Sequence, residues 1–140
     1  MAIKMRFLYY SKQKKMKALG ELIKQDFQLD NINAFDIIPP AYSCEKERLV
    51  ILAISGKGEP DDMLRRFCSE LNKKKAQNVA LLVDGDEKMG ARILETLRET
   101  GTNVIENVKY VKFGLFSGKV TDEEKASLLA WAHEIVNSIQ

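Results

Sequence analysis

The chain has 140 residues, of which 45% are hydrophobic and 30% are charged. This size suits one domain with its own core, which we place at residues 1–140. The 22 basic and 20 acidic residues leave a net charge of +2, too balanced to predict nucleic-acid binding. No apolar run approaches the roughly 18 residues of a membrane span, and the N-terminus lacks the regions of a signal peptide. We therefore expect a cytoplasmic protein that binds neither nucleic acid nor membrane.

Strand and helix patterns alternate through the first half of the chain. Residues 3–10 are rich in β-formers and predict a strand, and from Lys12 the apolar residues recur at helical spacing. A second strand is predicted at residues 34–38, where two prolines end it, and a short connection without helical pattern follows. Residues 49–54 are the most apolar run, which is typical of a central parallel strand covered on both faces.

The second half of the chain continues this alternation. A helical pattern is followed by a strand predicted at residues 78–83 and by an acidic turn at residues 84–88. The next helix stops near Gly101. A fifth strand is predicted in two parts, residues 104–105 and 110–116, with a bend between them.

A capping box begins the last predicted helix, where Thr121 stands three residues before Glu124. Strands that alternate with helices require right-handed parallel crossovers. The pattern therefore predicts an α/β fold, a three-layer α/β/α sandwich.

Residues suited to catalysis or metal binding are few. Cys44 and Cys68 are far apart and predict two reduced thiols, one in a loop and one on the core face of a helix. His133 is the single histidine and falls inside a predicted helix. Neither a catalytic triad nor a metal site can be drawn from these residues. No catalytic residue and no metal ligand is predicted, and the question of enzymatic activity stays open.

Four segments carry a resemblance to one family. They are Tyr10-Ser11-Lys12, Gly56-Lys57-Gly58-Glu59-Pro60-Asp61, residues 78–82 and residues 113–120. In order and spacing they resemble the flavodoxin-like family over essentially the whole chain, and its short bacterial members in particular. The resemblance implies a five-stranded parallel sheet in the order 2-1-3-4-5, with FMN at its carboxyl edge. Members of this family pass electrons through the bound FMN to redox partners.

The phosphate loop implied by the resemblance follows the first strand. In the family, Ser and Thr hydroxyls, a Gly and backbone N–H groups surround the FMN phosphate at a helix N-terminus. The corresponding cofactor-binding candidates are Ser11, Lys12, Gln13, Lys14, Lys15 and Met16. They keep one hydroxyl and have neither Thr nor Gly. One interpretation is that their lysines attract an anion as point charges at the helix N-terminus. The plainer interpretation is a solvated helix N-terminus.

The loops that the resemblance assigns to the flavin ring also differ from the family. The candidates there are Ser55, Gly56, Lys57 and Gly58 after the third strand, and Asp84 and Gly85 after the fourth. Neither loop offers an aromatic side chain for stacking. The carboxylates of the loop after the fourth strand would oppose an anionic reduced flavin. A strand-to-helix turn explains the glycines equally well, and a helix cap explains the carboxylates.

Two functions are consistent with these altered loops. The first is a flavodoxin-like domain with a degraded FMN site, acting as a non-catalytic regulatory or interaction module with a protein partner. The alternative is an FMN-binding electron-transfer protein, a flavodoxin with an atypical lysine-rich phosphate loop and a redox partner. The sequence leaves both open, together with the oligomeric state.

Overall fold

The architecture is that of a computed structural model. The structure describes residues 5–10, 14–29, 33–34, 48–56, 62–71, 77–111 and 120–139. The strands are Met5–Tyr10 (β1), Asn33–Ala34 (β2), Leu49–Gly56 (β3), Asn78–Gly85 (β4), Asn103–Val104 (β5) and Lys109–Val111 (β6). The helices are Lys14–Phe27 (α1), Asp62–Glu70 (α2), Glu87–Glu99 (α3) and Asp122–Ile139 (α4).

The strands form one parallel sheet. Its order is β2-β1-β3-β4, and both β5 and β6 pair with β4. The two short strands thus share the fifth position of the sheet, and the predicted bend lies between them. The predicted order 2-1-3-4-5 is confirmed.

Two apolar cores cover the two faces of the sheet. Residues 49–54 of β3 are all fully buried, as predicted for a central strand. Val50 and Leu52 pack in the core beneath α2 and α3, whereas Ile51 and Ala53 pack in the core beneath α1 and α4. Successive side chains of a strand point to opposite faces, so one apolar run supplies both cores. The three-layer α/β/α sandwich is confirmed.

Helix α1 shows how the helices attach to the sheet. Its buried apolar residues Met16, Leu19 and Ile23 follow each other at spacings of three and four, so they form one stripe. Just beyond its last turn, Gln28 takes a left-handed conformation with φ 57°, which turns the chain out of the helix.

Strands β3 and β4 are each two residues longer than their apolar patterns predict. Asp84 and Gly85, expected in the acidic turn, belong to β4 and pair with Ser55 and Gly56 of β3. Asp86 then caps α3 by accepting a hydrogen bond from a backbone N–H in its first turn. The predicted turn was wrong at its first two residues, because ladder pairing with a neighbouring strand extends a strand past its apolar run.

Two other local predictions, the capping box and the position of Cys68 on the core face of a helix, are confirmed. The Thr121 hydroxyl accepts the N–H of Glu124 at 3.1 Å, and the Glu124 carboxylate accepts the N–H of Thr121 at 2.9 Å, which completes the capping box. Cys68 is fully buried on the core face of α2. In the part of the chain that is described, no helix has the length and apolar character to cross a membrane. The predictions for residues 35–47, Cys44 among them, and for residues 112–116 lie outside the described residues.

Candidate functional site

The candidate site is the carboxyl edge of the sheet, where β1, β3 and β4 end and helices α1 and α3 begin. Seven of the predicted cofactor-binding residues are described at this edge: Lys14, Lys15, Met16, Ser55, Gly56, Asp84 and Gly85. The other five, Ser11, Lys12, Gln13, Lys57 and Gly58, lie outside the described residues.

The first turn of α1 places its three described residues in three different environments. Lys14 is exposed to solvent. Lys15 is only 8% exposed, and its ammonium lies 2.9 Å from the Glu124 carboxylate of α4. Met16 is fully buried in the core shared by α1 and α4. The Lys15 charge is therefore already paired within the fold, and the Met16 side chain is part of the packing.

Glu124 joins the starts of two helices. Its carboxylate accepts the Thr121 N–H and pairs with Lys15. The hydrogen bond from Thr121, followed by the bond from Lys15, lowers the pKa of Glu124. The carboxylate therefore stays charged to a lower pH than an unpaired glutamate and ties the first turn of α1 to the first turn of α4.

The paired ends of β3 and β4 form the middle of the edge. The Ser55 hydroxyl donates a hydrogen bond of 2.9 Å to the Asp84 carboxylate. Gly85 lies so close to its partner strand that a Cβ there would be 2.0 Å from the Gly56 carbonyl oxygen. Position 85 therefore requires a glycine because the two backbones leave no room for a side chain.

The start of α3 makes the next part of the edge acidic. The Asp86 carboxylate accepts the Met89 N–H at 2.9 Å, and Glu87 follows it, exposed to solvent. Tyr110 of β6 reaches the same place, since its hydroxyl would lie 2.3 Å from a Cβ at Gly90. Burial, and then the charges of Glu87 and Asp86, raises the pKa of Tyr110. The field at this phenol is therefore negative.

Sequence reasoning missed two residues of this edge. Glu124 was predicted only as part of a capping box, and nothing in the sequence pattern links it to Lys15. Tyr110 was placed in a strand, but its position beside α3 depends on the register in which it pairs with Val83 of β4. Amphipathic pattern alone signals neither contact.

His133 belongs to the packing of the helices. Its imidazole Nε2 lies 2.5 Å from a carboxylate oxygen of Asp26 at the end of α1, and its ring packs at 4.7 Å from the ring of Phe27. Among the residues that the structure describes, no group of three or more His, Cys, Asp or Glu side chains is placed to hold a metal ion.

The solved structures similar to this chain include flavodoxins. A flavodoxin from the domain Archaea has a TM-score of 0.69 and 16% identity, covering 98% of this chain and 99% of its own. Oxidised Flavodoxin 1 from Bacillus cereus has a TM-score of 0.70 and 18% identity, with the same coverage. A short-chain flavodoxin associated with a non-canonical PDU bacterial microcompartment has a TM-score of 0.66 and 12% identity, covering 99% of this chain and 100% of its own.

No protein-family model and no curated protein matches the chain. The structural likeness extends over nearly the whole length of both partners in each comparison. The chain therefore has the flavodoxin-like fold, as its sequence motifs predicted.

Proposed function

We propose that this chain is a regulatory or interaction module built on the flavodoxin-like fold, in which the FMN site has lost much of its chemistry. The observation that carries the proposal is the first turn of α1, where Lys15 pairs with Glu124 and Met16 is buried. Function on a shared fold follows from the site and not from the fold. The partner we propose is another protein, as expected for a module without chemistry of its own.

The phosphate end of the site supports this proposal. A phosphate dianion needs hydroxyls, free backbone N–H groups or unpaired cations around it. Of the three described candidates in α1, only Lys14 presents a charge to solvent. The Lys15 ammonium is paired with Glu124. A phosphate that approached Lys15 would therefore also meet the Glu124 carboxylate, which repels it. These described residues do not fit an FMN phosphate.

The ring end supports the proposal in the same way. A flavin ring gains from flat apolar or aromatic neighbours, and its reduced form is an anion. The described edge carries the carboxylates of Asp84, Asp86 and Glu87, the last two of them beside the Tyr110 phenol. Burial raises the pKa of Tyr110 at this edge, and the charges of Glu87 and Asp86 raise it further. This environment disfavours an anionic flavin.

A second candidate function is an FMN electron carrier with an atypical, lysine-rich phosphate loop and a redox partner. The observation in its favour is the full-length likeness to flavodoxins. In this function Lys14, which is exposed, would be the described cation that holds the phosphate.

Adding FMN to the purified protein separates the two functions. We expect a colourless protein whose melting temperature does not change with FMN. A bound ligand at a hundredfold excess over its Kd would stabilise the fold by roughly 2.7 kcal/mol, which a thermal melt resolves. A yellow protein, or a melting temperature that rises with FMN, would overturn the proposal.

Two lysine substitutions locate the binding site if FMN or inorganic phosphate does stabilise the protein. Lys14→Ala should then remove the stabilisation, and Lys17→Ala, which changes an exposed lysine of the same helix, should leave it intact. An equal response of both variants would place the anion away from the first turn of α1.

A further inference from the structure

A cavity lies between β6, the second turn of α1 and the first turns of α4. Its volume is about 300 Å³, near the lower end of the range for small-molecule sites. Leu19 and Leu128, which are 2% and 1% exposed, line its floor together with the partly buried Val111. None of the predicted cofactor-binding residues that the structure describes lines it, so a ligand there does not depend on the function proposed above.

Two of the charges near this cavity neutralise each other. Glu124 lines the cavity, but its carboxylate is already bonded to Lys15 and to the Thr121 N–H. A ligand ammonium at Glu124 would share this carboxylate with Lys15, whose charge already balances it. The charge of this residue therefore contributes little to recognition.

Two charges of opposite sign remain at the mouth. The Lys109 ammonium, on β6, donates a hydrogen bond to the Ser127 hydroxyl, which leaves two of its three N–H donors for a ligand. Glu123, on α4, is exposed to solvent. The cavity thus combines an apolar floor with one cation and one anion at its rim.

We propose that this cavity binds a small amphipathic zwitterion, an α-amino acid with an apolar side chain. The carboxylate of such a ligand would bond to the Lys109 ammonium, and its ammonium group would pair with Glu123. The apolar side chain would cover Leu19 and Leu128. A ligand with a single charge would leave the opposite rim charge unmatched, which is why both ligand charges enter the proposal.

Three probes with the same isobutyl body test the charge requirement. L-Leucine carries both charges, isoamylamine lacks the carboxylate, and 4-methylpentanoate lacks the amine. Titration of the whole chain, followed by amide NMR shifts, should move residues 109–111 and 123–128 with leucine. Leucine should bind roughly two- to fivefold more tightly than either single-charge probe, the gain expected for one rim-exposed ion pair. No shifts with leucine, shifts confined to another part of the chain, or equal affinity for all three probes would overturn the proposal.

Two substitutions at the rim measure how much each of the two charges contributes to the leucine affinity. Glu123→Gln should lower the leucine affinity to that of 4-methylpentanoate, and Lys109→Met should lower it to that of isoamylamine. Glu134→Gln, an exposed site of α4 that does not line the cavity, is the matched control and should leave the affinity unchanged. If Lys109→Met fails to fold, the Glu123→Gln variant and the three probes on the unchanged protein still test the proposal. A Glu123→Gln protein that keeps the full preference for leucine would also overturn the proposal.

Discussion

Replacing Gly85 with alanine tests the closest backbone approach at the carboxyl edge. The added Cβ would lie 2.0 Å from the Gly56 carbonyl oxygen, far inside van der Waals contact. Both groups belong to the backbone of paired strands, so neither can rotate away, and β3 and β4 must separate locally. Overpacking of this kind costs about 1–3 kcal/mol when side chains can adjust. We expect a loss of about 3 kcal/mol for Gly85→Ala because only backbone can move.

Two other glycines provide matched controls for this prediction. Gly101 has φ +86° and no atom within 4 Å of a Cβ added there, so Gly101→Ala bears only the left-handed backbone cost of about 1 kcal/mol. A Cβ at Gly56 meets the end of the flexible Met89 side chain at 2.8 Å, which can move aside. Gly85→Ala should therefore be the most damaging of the three substitutions.

Urea titrations and thermal melts followed by circular dichroism measure the effect. For a domain of this size, about 3 kcal/mol corresponds to a fall in Tm of roughly 10 °C and to a large share of the total stability. A Gly85→Ala protein within about 1 kcal/mol of the unchanged protein, or more stable than Gly101→Ala, would refute the register of β3 against β4.

Three further predictions concern single side chains. Burial raises the pKa of the Cys68 thiol to about 12, so in a Cys44→Ser background it should react with a thiol reagent only as fast as the protein opens; rapid labelling under native conditions would contradict its burial. The pKa of Glu124 is lowered in the folded state, so Glu124→Gln should destabilise the protein by less than about 1 kcal/mol above about pH 5. The difference should vanish as the pH falls through the folded-state pKa. Chemical denaturation across this pH range measures the difference, and a difference that does not depend on pH would count against the ion pair. Asp86→Ala should cost about 1 kcal/mol through loss of the α3 cap, and Asp86→Asn should restore most of it in the same assay; equal losses in both would show that the cap is not the cause.

The order of the elements could be predicted because it depends on local pattern. The continuous apolar run at residues 49–54 indicates a strand buried on both faces, and it is buried on both. The capping box at Thr121 and Glu124 marks the start of α4, since both of its hydrogen bonds join residues three apart. Strand ends were harder to predict, because the last pairs of β3 and β4 carry Ser55 and Asp84, which are not typical of strands.

The candidate site was predictable only in its position. A helix that follows a parallel strand must begin at the carboxyl edge of the sheet, so the sequence places Lys14, Lys15 and Met16 there. It does not tell which of them presents a charge to solvent. That depends on α4 packing beside α1, which brings the Glu124 carboxylate within 2.9 Å of the Lys15 ammonium.

The sequence by itself determined the α/β architecture, because that depends on periodicity and residue type. The strand order and the departure of the edge residues from a phosphate-binding loop followed from the resemblance of its motifs to the flavodoxin-like family. Only the tertiary structure decided that Lys15 is paired, that Gly85 touches Gly56, and that Lys109 and Glu123 share the mouth of one cavity. Each of these contacts joins residues from different elements. Their proximity is decided by strand register and helix packing, which no local pattern encodes.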